Sequence, residues 1–363
     1  EKRKKGYKRM EQFVGMSKTG SIKEAAEGLK NPQFLMLFDS SKERFKESVS
    51  QLEEMFPGVP SIGCVGQFYG KTQVLENGVM VVGFSGGIRA AADVFTDVST
   101  MPVKCIRKFQ QNVTNISASA DNTVLIDFCS GNDECVLATM ESVLKSKKIQ
   151  LTGGTAWEGL VCCNGQVYED ACAYALVKNE SGRVKVYKEN IYLRKDAVKH
   201  IVTKSEPRTY TIQEIDGRRA EDVYTKELGI SPENITEQTM VNPLGRVIGD
   251  ETYIISIKER TGNGSFSCYR KVNPKDNICF LQAGDYKQIL QETIESIHKD
   301  FSKISGVFSV NCLFRYLYFQ QKGFVNEYLE EMGKLGSHAG LVGLGEHYNG
   351  QHTNQTMSAV VFE

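Results

Sequence analysis

The sequence has no surplus of either charge: 44 basic residues stand against 44 acidic ones over 363 residues. Without a net positive field to draw in a phosphate backbone, a nucleic-acid partner is not expected. Long apolar runs are also missing. No window approaches the roughly eighteen apolar residues of a membrane helix. The basic start, EKRKKGYKRMEQF, lacks the apolar stretch of a signal peptide. Neither G-x-G-x-x-G nor G-x-x-x-x-G-K-[ST] occurs, so dinucleotide and P-loop readings fall away. There is no C-x-x-C pair, and histidines number only five, so no metal site is expected. Cys129 and Cys135 alone do not suggest zinc.

What is present sets the class. The apolar fraction, 40%, is enough to bury a real core, and the length suits two domains or one large one. The ten cysteines are irregularly spaced, with one adjacent pair at Cys162 and Cys163. They read as reduced thiols of a cytoplasmic protein, many buried as small hydrophobes. Residues 1–9 read as a solvated basic arm, with contact to an anionic surface as the weaker alternative. The chain opens on Glu1 rather than Met, and the expectation is a piece of something longer. Sequons such as Asn112 to Thr114 carry no meaning without a secretory signal.

A unit of strand, helix, strand, strand recurs three times. In the first copy Phe34 to Phe38 (FLMLF) reads as a strand, and Ser41 to Phe56 as a helix with Phe45, Val49, Leu52 and Met55 on one face. A Gly-rich strand follows, Ser61 to Tyr69, then Val79 to Phe84 after the Asn77-Gly78 turn. The second copy is Val124 to Cys129, a helix from Glu134 to Lys145, Leu151 to Trp157, and Ala171 to Val177. The third is Gly306 to Asn311, a helix from Phe324 to Leu335, Ala339 to His347, and Met357 to Phe362. Glycine inside a strand marks a bulge or the close approach of another group.

The segment between the second and third copies is of another kind. Arg183 to Leu193 alternates and is expected to pair with Ala171 to Val177 across the turn at 179–182. Glu221 to Leu228 reads as a helix, and Asn242 to Gly245 as a rigid turn. Thr252 to Ile257 and Ser265 to Val272 are expected to form a hairpin around Asn263-Gly264. Gly284-Asp285 should cap a helix running to Phe301. The domain boundary is expected between Asp196 and Pro207.

Several of these segments resemble the FIST domain in its N-terminal and C-terminal halves. The first half matches in FLMLF, VPSIGCVGQFYG and VMVVGF. The second matches in NPLGRVIG, YIISI, LQAGD, GVFSVNCLFR and GLGEHYNGQHTNQT. The resemblance runs from Met10 to Glu363. Its most specific part combines Asn311-Cys312-x-x-Arg315 with Gly345-Glu346 and Asn354-Gln355-Thr356. His347 departs from the family, which more often has an aliphatic residue there. The resemblance implies a sensory, ligand-binding module of prokaryotic signal transduction. Its expected partners are a small ligand such as an amino acid and an output domain: a chemoreceptor, a histidine kinase or a cyclic-dinucleotide module. One branch of the family is implicated in haem and nitric oxide sensing.

The expected ligand-binding residues are Asn311, Cys312, Arg315, Glu346, His347 and Asn354. Cys312 and Arg315 follow the strand GVFSVN, at the strand end where open α/β sheets place ligands. An arginine there suits a carboxylate or phosphate, which it can grip bidentately; a structural ion pair with a nearby acid is the equal alternative. Glu346 and His347 are expected to face the same crevice, with Glu346 taking an α-amino group. Haem would need a histidine such as His347 or His200 beside an apolar pocket. A nucleophile built from Cys312, His347 and an acid is the enzyme reading, and no enzyme is expected. A protein-interaction module is the third class. The expected fold is α/β (α+β), layered sheets flanked by helices, built from repeated strand–helix–strand–strand units. The expected division is a 1–9 arm, a 10–200 N-terminal half and a 201–363 C-terminal half.

Overall fold

A computed structural model describes residues 8–363, so most of the expected basic arm lies outside the described residues. The protein is mixed α/β with several sheets flanked by helices. It divides into two compact units. The first comprises Glu1–Glu189, Leu290–His352 and Thr356–Glu363, and the second Asn190–Ile289 with Thr353–Gln355.

All three repeats lie in the first unit. In the first repeat the opening strand Phe34–Asp39 leads to the helix Lys42–Met55. Ser41 starts that helix by accepting a hydrogen bond from the Arg44 amide. Phe45, Val49 and Leu52 bury its inner face, while Met55 at the end is 40% exposed. The middle strand Ser61–Val65 runs parallel to the opening strand, and the closing strand Val79–Ser85 antiparallel to it. A leading strand, Glu11–Ser17, pairs outside the closing one. The second repeat has the same parts: leading Ile88–Thr96, opening Thr123–Cys129, helix Asp133–Lys147, middle Gln150–Thr155 and closing Ala171–Asn179. The third has leading Val184–Asn190, opening Gly306–Cys312, middle His338–Gly343 and closing Thr356–Phe362. Here the connection holds two helices, Leu313–Gln321 and Val325–Gly333, of which only the second was expected from periodicity.

The Gly-rich segments differ from the expectation of one continuous strand. Each middle strand ends, and the chain passes into a neighbouring sheet as a short hairpin. The hairpin Gln67–Gly70/Gln73–Leu75 of the first repeat adds to the third repeat's middle strand. The hairpin Val161–Cys163/Gln166–Tyr168 of the second adds to the first. The hairpin Glu346–Tyr348/Gln351–Thr353 of the third adds to the second. The exchange is cyclic: three six-stranded sheets, each completed by another repeat. Their inner faces share one core, where Phe38, Phe128 and Phe308 meet at ring separations of 5.2 to 6.1 Å.

The expected pairing of Ala171 to Val177 with Arg183 to Leu193 does not form. Both edges of Ala171–Asn179 are taken, by Thr123–Cys129 and Ile88–Thr96, so Val184–Asn190 pairs instead with the third repeat's closing strand.

The second unit is built on a nine-stranded sheet. The expected hairpin is shifted. Its first strand is Ile257–Thr261, paired with Ser265–Cys268 around Gly262–Gly264. Glu251–Ile255 pairs instead with Leu244–Ile248. These two consecutive strands sit at opposite ends of the strand order and are joined by Ser256 alone, so the sheet must roll up. The helix Ala220–Leu228 packs Val223 and Tyr224 into the core of the roll. Asp285 caps the helix Tyr286–Asp300 as expected, accepting from the amides of Lys287 and Gln288.

Candidate functional site

The three repeats place one glycine in the same register: Gly63 opposite Leu37, Gly153 opposite Asp127 and Gly340 opposite Ser309. A Cβ at any of them would lie 2.0 to 2.4 Å from the carbonyl oxygen of that opposite residue. On the far side of each glycine stands a residue of the inserted hairpin: Cys162, His347 and Tyr69. Without a side chain on the middle strand, the hairpin residue reaches over it. Tyr69 Oη lies 2.8 Å from Ser309 Oγ, and His347 Nδ1 lies 2.7 Å from Asp127 Oδ2. Cys162 faces apolar Leu37 instead, and the two share one core cluster. One backbone device thus holds three different chemistries.

The second repeat's version is the most polar. Asp127 is fully buried on the opening strand, and Asp133 begins the following helix. His347 Nε2 lies 3.1 Å from Asp133 Oδ1, which also accepts from Thr155 Oγ1. Burial alone would lower the His347 pKa, but the Asp127 and Asp133 carboxylates overturn that and hold it well above its ordinary value. Burial alone would raise Asp133; the charges of His352 and His347 instead hold it well below the usual carboxylate range. The Cys172 thiol donates to Asp127 Oδ2 at 3.5 Å, and burial pushes its own pKa up, so it stays a donor. The His352 ring stands edge-on to His347, with centroids 5.7 Å apart.

The third repeat carries a second buried cluster. Arg315 sits in the first turn of Leu313–Gln321, just past the opening strand, and is 0% exposed. It donates to Asn311 Oδ1 and forms an ion pair with Glu189, which is also fully buried. Its guanidinium carbon lies 4.4 Å from the Phe319 ring centre and 5.3 Å from that of Tyr328. Three polar atoms of this cluster have no partner among the described residues: Arg315 Nε, Asn311 Nδ2 and Glu189 Oε2.

The expected site residues are therefore divided. Asn311 and Arg315 come together, with Cys312 between them, buried, at the N-terminal cap of the helix. Glu346 and His347 do not face one crevice. As consecutive strand residues they point to opposite faces: His347 joins the two aspartates, while Glu346 accepts from the Thr356 backbone amide at 2.7 Å. Asn354 belongs to the second unit. Glu189, Asp127, Asp133 and His352 were not expected. No local motif marks the three acids, since Asp133 lies 214 residues from His347 and Glu189 lies 126 from Arg315, whereas His352 follows His347 by five residues. The cysteines are free and mostly buried, as composition suggested.

Two family models match the chain: the FIST N domain over residues 33–218 and the FIST C domain over residues 220–349. No curated protein matches it. Among the described residues no helix is long and apolar enough to cross a membrane.

Proposed function

The chain belongs to the FIST family, whose members are sensory domains of signal-transduction proteins, and from that premise we propose that it senses a small zwitterion of the amino-acid class at the Glu189–Asn311–Arg315 cluster. The reading rests on the unsatisfied atoms there. A buried polar atom without a partner costs about 1–3 kcal/mol, and this cluster holds two such donors and one such acceptor around a single ion pair. An α-carboxylate on Arg315 Nε and Asn311 Nδ2, with the α-ammonium on Glu189 Oε2, adds two ion pairs to the existing one and satisfies all three atoms. The output partner is a chemoreceptor, histidine kinase or cyclic-dinucleotide module outside this chain, and ten free cysteines fit a cytoplasmic location.

The test is thermal unfolding with each of the twenty common amino acids at millimolar concentration. A native-state ligand at about a hundred times its Kd adds about 2.7 kcal/mol of stability. One or a few amino acids should raise Tm in the wild type and not in Asn311→Ala, which removes the Nδ2 donor together with the Oδ1 acceptor of Arg315 and leaves the ion pair. If no amino acid shifts Tm, or if the shift survives in Asn311→Ala, this reading fails.

Haem and cysteine catalysis fit less well. His347 has both ring nitrogens on carboxylates, and His200 Nδ1 lies 2.6 Å from Asp216. Cys312 is buried, and His347, its proposed base, is committed to the two aspartates.

A further inference from the structure

The cluster around His347 is more than a buried ion pair. Asp133, His347 and His352 each present a ligand atom, and the three atoms lie within 4.8 Å of one another. Two imidazole nitrogens and one carboxylate oxygen form the donor set of zinc and other first-row divalent cations. Magnesium and calcium prefer all-oxygen cages. Donors around a tetrahedral zinc ion stand about 3.4 Å apart, given bonds near 2.1 Å. His347 Nε2 and Asp133 Oδ1, at 3.1 Å, are already at that spacing. Small movements of His352 close the set.

The surroundings match what such a centre needs. Asp127 holds His347 Nδ1 at 2.7 Å. A carboxylate on one ring nitrogen is the usual outer support of a metal-bound histidine, and a cation that displaces the Nε2 proton between His347 and Asp133 meets both donors. The Cys172 thiol in turn steadies Asp127. Two carboxylates and two neutral imidazoles bring a divalent cation to zero net charge, so burial of the filled site leaves no residual charge to solvate. Gly345 clears the space for the second histidine: a Cβ there would fall 2.0 Å from His352 Nε2. His352 is partly exposed and lies on the strand at the sheet's edge, which supplies an entry path. Thr155 Oγ1, on Asp133 Oδ1, steadies the carboxylate.

We propose that Asp133, His347 and His352 bind one divalent first-row transition cation, with Asp127 as the outer carboxylate that orients His347. This site shares no residue with the Glu189–Asn311–Arg315 cluster, so the two readings stand or fall separately.

The experiment uses the full chain, stripped with EDTA and returned to chelator-free buffer. Zinc chloride is titrated in competition with a chromophoric chelator, and circular dichroism is recorded on every sample. One zinc should bind per chain. His352→Ala, at a partly exposed position, should keep its fold and lose at least about tenfold in affinity, and Asp127→Asn should lose about 10- to 100-fold. His298→Ala, on an exposed helix face, should bind as the wild type does. Cobalt(II) gives a second readout, with visible d–d bands in the wild type and none in His352→Ala. Zinc should also raise the Tm of the wild type and not of His352→Ala. The proposal is overturned if folded wild-type protein takes up no zinc at about 100 µM, a concentration far above a protein centre's usual Kd. Equal binding by His352→Ala and the wild type overturns it as well.

Discussion

Replacing Glu189 with glutamine tests how the first unit tolerates an unpaired buried charge. The substitution keeps the shape of the side chain and removes the negative partner of Arg315. Both residues are fully buried, so water cannot take the partner's place. Removing one member of such a pair typically costs about 3–5 kcal/mol. The Phe319 and Tyr328 faces, at 4.4 and 5.3 Å, return about 1–2 kcal/mol of this to the stranded cation. The net expectation is a loss of about 1–4 kcal/mol. The double variant Glu189→Leu with Arg315→Met removes both charges and should cost less than the single one, because two desolvated ions become one apolar contact. Trp157, the one tryptophan, lies in the first unit, and its indole N–H donates to the Val342 carbonyl at 2.7 Å. Its emission during urea unfolding therefore reports that unit, which matters because a chain of two units need not unfold in one step. A loss below about 1 kcal/mol for Glu189→Gln, or a double variant less stable than the single one, would refute the reasoning.

Other consequences can be checked alongside. Gly153→Ala and Gly340→Ala each place a methyl 2.1 to 2.4 Å from a carbonyl oxygen, and each should lose about 1–3 kcal/mol or more in the same assay. Burial pushes the His338 pKa down to about 3 from 6.5. The unfolded chain therefore binds a proton there that the folded one refuses. That contribution to stability is intact above about pH 6.5 and drains as pH falls toward 3, by up to about 1.4 kcal/mol per unit. His338→Gln should flatten the loss measured between about pH 6 and pH 4.

The opening strands, the helices and the three-copy order were legible because each rests on local signals. FLMLF is bounded by turn residues, Phe45, Val49 and Leu52 repeat at helical spacing, and Asp285 precedes a helix as a cap does. The hairpin exchange was not legible. Nothing in Gly66 or Gly345 says that the next residues will pair in another sheet, because the choice depends on which edge is open elsewhere. The same holds for the pairing of Val184–Asn190, which was excluded from Ala171–Asn179 by strands far away in sequence. Arg315 and His347 stood out as residue types, but their acidic partners lie more than a hundred residues off and carry no motif. His347 was singled out as a departure from the family pattern, and its polar surroundings are where that departure leads. Leu313–Gln321 was missed because an aromatic-rich stretch such as LFRYLYF shows no clean polar face.

The cyclic exchange of hairpins bears on how the chain is made. Gln67–Gly70 leaves the ribosome more than 250 residues ahead of the strand it pairs with, His338–Gly343. The second repeat's sheet likewise waits for Glu346–Tyr348. Only the first repeat's sheet can be completed before residue 190. Until residues 338–348 have been made, two sheet edges stand open to any extended segment that passes, which is a hazard for a nascent chain. A nascent chain of this kind should need shelter until Thr356–Phe362 is free of the exit tunnel, because only then can the third repeat's opening strand take its closing partner.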